Sequence, residues 1–291
     1  MNQYQRHMSP FPGLERWSHQ VQLPQSAINL HVYDTGGGED GGTPILLLHG
    51  LGDEADTWRH VLLALGPGRR AIAPDLPGFG RSDQGKYPYS IPFFAGIMLE
   101  LLDMFSISHV VLVGHSTGAA VAHEFAVEHP ERVEKLVLIG GSLVSKETPL
   151  NLGLFLFLVP GLGEWSYNRL RRDSQEAYCT LEAYYNRLED LPQADRDFLF
   201  QRVNERVWSD GQRRGFLSTL RSLARWMPAQ QKNWRAACAV GPYRPLYYGV
   251  KTTGSTRSKT LMRWSICCLL LGWNWFQEQG TISSKRNQAL W

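Results

Sequence analysis

The chain has 291 residues, with 30 Lys+Arg against 27 Asp+Glu and a formal charge of +3. At 43% hydrophobic and 20% charged residues it is composed as a globular protein, which excludes a disordered or collagen-like chain. No run approaches the roughly 20 continuous apolar residues of a membrane span, and the polar start lacks the apolar stretch of a secretory signal, so a cytoplasmic protein is expected.

In chain order, two short extended segments come first, around His19–Leu23 and Ile28–Tyr33, and read as an antiparallel pair. Pro44–Leu48 is aliphatic without polar alternation, as expected of a strand buried on both faces. His49-Gly50-Leu51-Gly52 turns the chain into a helical stretch over about Glu54–Leu65. Arg70–Pro74 is the next strand and runs into Asp75-Leu76-Pro77-Gly78-Phe79-Gly80-Arg81-Ser82. Ile91–Phe105 has helical spacing, with Met98, Leu101, Leu102 and Phe105 on one side. A strand at His109–Val113, the segment Gly114-His115-Ser116-Thr117-Gly118, a helix at Ala119–Glu128 and a strand at Val133–Ile139 complete this half. Such alternation at regular spacing indicates an α/β fold with a mostly parallel sheet flanked by helices.

From 143 to 232 the character changes to Leu, Arg, Tyr and Trp at helical periodicity, without an obvious strand. Its position after a sheet strand makes it a helical cap inserted between the first part of the core, 1–142, and the remainder expected at 233–291.

Gly114-His115-Ser116-Thr117-Gly118 fits G-x-S-x-G between an aliphatic strand and a helix. A strand turning sharply into a helix strains the corner residue, and small residues two positions away on each side prevent clashes. The Ser116 hydroxyl is then presented above the sheet, at the positive end of the helix. Acyl transfer also needs donors aimed where negative charge develops on the carbonyl oxygen. The backbone N–H groups of Leu51, in the His49-Gly50-Leu51-Gly52 turn, and of Thr117 are the expected pair.

With these motifs the chain resembles the α/β-hydrolase superfamily, in its branch with a helical cap, specifically over about Ile28–Ser142 and diffusely beyond. The resemblance implies that Ser116 is the nucleophile, that Leu51 and Thr117 form the oxyanion hole, and that the Asp75–Ser82 loop frames the site. A serine at this position favours esterases, lipases, carbon–carbon bond hydrolases and perhydrolases over the epoxide hydrolase and dehalogenase branches, which carry Asp there. The expected substrate is a small or medium apolar ester or related carbonyl compound, with no cofactor and no metal.

The acid and the His that the family places after the cap are missing. All nine His lie at or before His129, and Asp210 is the last Asp. Residues 237–291 hold seven Lys+Arg and one acid, Glu278. A serine hydroxyl needs a base to take its proton, so an inactive scaffold or ligand-binding protein is the competing expectation. Reading the codons of 242–255 from each third base suggests why. Tyr247-Tyr248 then forces Leu, and its neighbours permit Ile-Pro-Thr-Leu-Val-Leu-Trp-Gly-Glu-Asp-Asp-Arg-Ile. In the same frame Trp273-Asn274-Trp275-Phe276 forces Glu-Leu-Val, and the next codons permit Pro-Gly-Ala-Gly-His. These resemble the missing acid turn and His loop, which predicts a change of reading frame between about Trp234 and Val240 and irregular structure after about residue 236. The basic tail residues form no nucleic-acid motif, and adjacent Cys267-Cys268 lack zinc-ligand spacing.

Overall fold

The computed structural model describes residues 8–37, 41–66, 68–140, 156–183, 187–240 and 246–248, with Tyr4 and Tyr185. Among the described residues seven strands form one sheet: β1 (Ser18–Gln22), β2 (Asn29–Asp34), β3 (Ile45–Leu48), β4 (Ala71–Pro74), β5 (Val110–His115), β6 (Val133–Ile139) and β7 (Leu246–Tyr248). Their order is β1-β2-β4-β3-β5-β6-β7. β1 and β2 pair antiparallel, as do β2 and β4, and the remaining pairs are parallel. The expected mostly parallel sheet is therefore present.

Alternation of side chains along each strand divides the core in two. Leu46, Leu48, Ile72, Val110, Leu112, Leu136 and Leu138 face helices α2 (Ile91–Met104) and α3 (Thr117–Glu128). Ile45, Leu47, Ala71, Ala73, Val111, Val113, Val137 and Ile139 face Trp58 and helix α1 (Arg59–Leu65) on the other side. Because both faces are covered, the central strands carry uninterrupted aliphatic runs. α2 begins where Ser90 caps it, the hydroxyl accepting from Phe93 N at 3.2 Å, with Pro92 in the first turn.

Helices α4 (Leu162–Arg169), α5 (Ser174–Cys179), α6 (Gln193–Trp208) and α7 (Asp210–Val240) come next in the chain. α5 and α6 share a small core of their own, made by Ala177, Leu181, Leu188, Leu199, Val203 and Val207. α7 reaches the main core through Phe216, Leu223 and Trp226. α6 is tied to α1 where Arg59 donates to Asp195 from Nε and Nη2, at 3.0 and 2.9 Å. No helix among the described residues is long and apolar enough to cross a membrane.

The expectation of irregular structure after about residue 236 fails at two places. α7 continues to Val240, and Leu246–Tyr248 forms a strand parallel to β6, with Leu138 opposite Tyr247. A Leu-Tyr-Tyr triplet has strong strand preference, and a parallel ladder is made by backbone groups that every residue supplies. Residues 241–245 and 249–291, where most of the expected departure falls, lie outside the described residues, as do 143–155, 184 and 186 of the expected cap.

Candidate active site

The turn from β5 into α3 is a strained corner. Ser116 has φ +53° and ψ −115°, between a strand ending at His115 and a helix beginning at Thr117. Its N–H donates to Ile139 O at 2.8 Å, and its carbonyl accepts from Ala119 N at 3.0 Å. A Cβ on Gly114 would lie 2.2 Å from Gly118 O, and one on Gly118 would lie 2.4 Å from Leu48 O. Both contacts are with backbone, so neither glycine can carry a side chain unless strand or helix moves. Helix α3 starts two residues earlier than its apolar pattern indicates, because Thr117 and Gly118 already belong to it. Thr117, as its first residue, presents an N–H without a partner inside the helix.

The His49–Gly52 turn lies directly beside this corner. A Cβ on Gly50 would meet His115 Nδ1 at 3.2 Å and Ser116 Cβ at 3.3 Å. Gly52 has φ +68°, and a Cβ there would fall 2.9 Å from the Phe216 ring on α7. His49 is fully buried. Its Nδ1 lies 2.8 Å from Gly50 O, and its Nε2 accepts from Leu76 N at 2.9 Å. It thereby ties the Gly50 turn to the loop after β4, and both ring nitrogens are engaged. Burial lowers the pKa of His49 and likewise that of His115.

Arg206 of α6 grips the same turn from above. Its Nη1 donates to Gly52 O at 2.8 Å, and Nε pairs with Glu54 Oε2 at 2.7 Å. Nη2 lies 3.3 Å from Asp53 Oδ1. Burial raises the Asp53 pKa, but Arg206 and the Thr57 hydroxyl outweigh it and hold the carboxyl below its ordinary value. Behind it, Arg202 pairs with Asp56 at 3.1 Å and Glu205 at 2.7 Å. The sequence gives no sign of the Arg206 contacts, since about 150 residues separate it from its partners and it stands in no motif.

The Asp75 carboxylate is likewise engaged. It accepts from Ala55 N at 2.6 Å, from Arg81 N at 2.8 Å and from Arg81 Nε at 2.9 Å. It ties Ala55, just after the His49–Gly52 turn, to Arg81 in the loops around the corner. The structure thus brings together Ser116, Thr117, Gly114, Gly118, His115, Gly50 and, through the turn, His49, Leu51 and Gly52. It brings no base to Ser116: among the described residues no His or carboxylate is hydrogen-bonded to its hydroxyl. His123 is buried within α3 and His129 caps that helix's far end.

Residues 43–247 match the family model of the alpha/beta hydrolase fold. The chain is 30% identical over 217 residues to the 2-hydroxymuconate semialdehyde hydrolase of Pseudomonas sp. (strain CF600), covering 73% of this chain and 67% of that one. It is 42% identical over 106 residues to an uncharacterized protein of Mycobacterium tuberculosis, a match spanning 36% of this chain and only 31% of that protein's length. Among solved structures, the 2-hydroxy-6-oxo-6-phenylhexa-2,4-dienoate hydrolase of Rhodococcus sp. strain RHA1 has a TM-score of 0.61 at 23% identity. That likeness covers 79% of this chain and 80% of the other, and it is a likeness of fold.

Proposed function

The chain belongs to the α/β-hydrolase fold family, and from that premise we propose that it is a serine hydrolase in which Ser116 attacks the carbonyl carbon of an apolar ester or related carbonyl substrate. The observation that carries the reading is the positive φ of Ser116 at the β5–α3 corner, flanked by two glycines whose space the backbone fills. Strain of this kind costs roughly 1–3 kcal/mol and persists where the surrounding structure over-determines it. The N–H groups of Leu51 and Thr117 stabilise the oxyanion, and helices α4–α7 act as the cap over the site. The Pseudomonas relative, named as the hydrolase of a semialdehyde, supports the carbonyl class.

A second reading has its own observation. His49 is engaged at both nitrogens, and no described His or carboxylate bonds the Ser116 hydroxyl. This favours a scaffold that binds a carbonyl ligand at the corner without turning it over. A fluorophosphonate probe and p-nitrophenyl esters separate the two, with Ser116→Ala as control. A hydrolase labels at Ser116 and releases nitrophenolate with turnover, and both signals vanish in the variant. A chain that neither labels nor turns over contradicts the serine-hydrolase reading.

A further inference from the structure

Away from the Ser116 corner, the opposite flank of the sheet carries a second hydroxyl–imidazole–carboxylate chain. Ser18 opens the edge strand β1 and is only partly buried. Its Oγ lies 2.8 Å from Nε2 of His31 on β2. Nδ1 of that ring lies 3.1 Å from Asp75 Oδ2, with the His31 side chain 2% exposed and the Asp75 side chain fully buried. Four strand spacings separate β1 from β5, roughly 19 Å at the usual distance between strands. Ser18 therefore stands apart from the Ser116 corner, while Asp75 is common to this chain of groups and to the loops beside that corner.

The chemistry of the three groups is ordered by their surroundings. Burial would raise the Asp75 carboxyl, but the Arg81 guanidinium and His31 hold it well below the ordinary carboxylate range. Asp75 Oδ2 faces Nδ1 as a charge contact at 3.1 Å, and in the tautomer that carries its proton on Nδ1 the Nε2 lone pair accepts from the Ser18 O–H. The ring is oriented by an edge contact with Tyr33, at 4.8 Å between centroids and 88° between planes. Ser82 locks the supporting backbone: its Oγ accepts from His31 N at 2.9 Å and donates to Asp75 O at 2.6 Å. Ser18, His31 and Asp75 thus sit on neighbouring strands, or at a strand's end, whose register the ladder fixes.

We propose that Ser18 is a second nucleophile of this protein, with His31 as its base and Asp75 as the positioning residue, and that it accepts acyl groups from small activated esters. Ser18 Oγ bonds to the acyl carbon while its proton passes to His31 Nε2. The bond to the aryl oxygen breaks, the leaving aryl oxide takes the proton from His31, and Ser18 is left as its ester. The Ser18 N–H is already given to Glu15 O. The site therefore suits donors with a good leaving group, and its product is an acylated protein.

The test uses the 291-residue chain carrying Ser116→Ala, which removes the corner serine and makes the result independent of the function proposed above. The protein is treated with p-nitrophenyl acetate, and modified peptides are mapped by mass spectrometry. Acetyl on Ser18 is expected, with its rate of formation falling roughly a hundredfold when His31→Gln is added, the usual loss on removing a general base. An unmodified Ser18, or equal acetylation with His31→Gln, overturns the proposal. The same reaction on the urea-unfolded Ser116→Ala chain covers the case in which His31→Gln fails to fold. Ser18 acetylation must disappear there, and its survival would equally overturn the relay.

Discussion

At the scale of single residues, burial fixes what each histidine can do. Ser116 and its two glycines were legible because the corner's sterics dictate residue type: only Gly fits where backbone fills the space of a Cβ. The engagement of His49 was not legible, because its partner Leu76 contributes a backbone N–H that no motif records. His123 is the clearest case for a pH measurement. Burial on α3 lowers its pKa to about 4. The unfolded chain takes up a proton as pH falls through roughly 6.5, whereas the folded chain does so only near the lower value. Between those limits the unfolded state binds more protons, so stability falls as the solution is acidified. Urea midpoints at pH 7 and pH 5 should differ less in His123→Gln than in the parent chain. An unchanged pH difference would remove His123 as a source of the effect.

At the scale of elements, the strands were readable and the contacts between distant elements were not. Ile45–Leu48 and Val133–Ile139 announce themselves as aliphatic runs because both of their faces are covered. Arg206 lies on a helix whose sequence gives no reason to single it out, and its meaning appears only when α6 lands on the Gly52–Glu54 turn. Replacing it by Met leaves Glu54, whose pKa burial pushes up to about 8, with the more distant Arg202 at 3.7 Å, and loss of its hydrogen-bond partner costs about 1–3 kcal/mol. In the proposed hydrolase it also frees the turn that bears the Leu51 N–H, and a misplacement of about 1 Å lowers reaction rates by up to roughly a hundredfold. Arg206→Met should therefore melt earlier and label more slowly with fluorophosphonate. Arg206→Lys should fall between Arg206→Met and the parent, because it restores charge without the planar fork. A folded Arg206→Met chain that labels at the parent rate would confine the residue to a structural role.

At the scale of the whole molecule, composition separates a body rich in acids from a basic tail without His or Asp. The body's fold was legible from alternation of strands and helices, and its family from three motifs spaced along the first half. The sequence predicts a tail out of frame, and β7 counts against that expectation as far as residue 248, since a sheet strand forms where irregular chain is expected. We retain the frame change between about Trp234 and Val240 as a proposal, because the β7 ladder is made by backbone groups that an out-of-frame sequence also supplies. Sequencing the gene across the codons of 234–255 from its source is expected to show an inserted or missing base. An intact frame through that stretch would withdraw the proposal and leave the absence of a late His as a property of the protein itself.

The place of β7 at the end of the sheet also has a consequence during synthesis. β6 can dock on β5 as soon as it is made, yet its other side must wait for Leu246–Tyr248, roughly a hundred residues later. At translation rates of about 5–20 residues per second, that leaves an unpaired edge for on the order of 5–20 seconds. Glu134 and Lys135 place charges at the start of β6, where they discourage association with another chain, but Leu136–Ile139 has no such guard. Nascent chains on crowded ribosomes are thus most prone to aggregate while helices α4–α7 are still emerging.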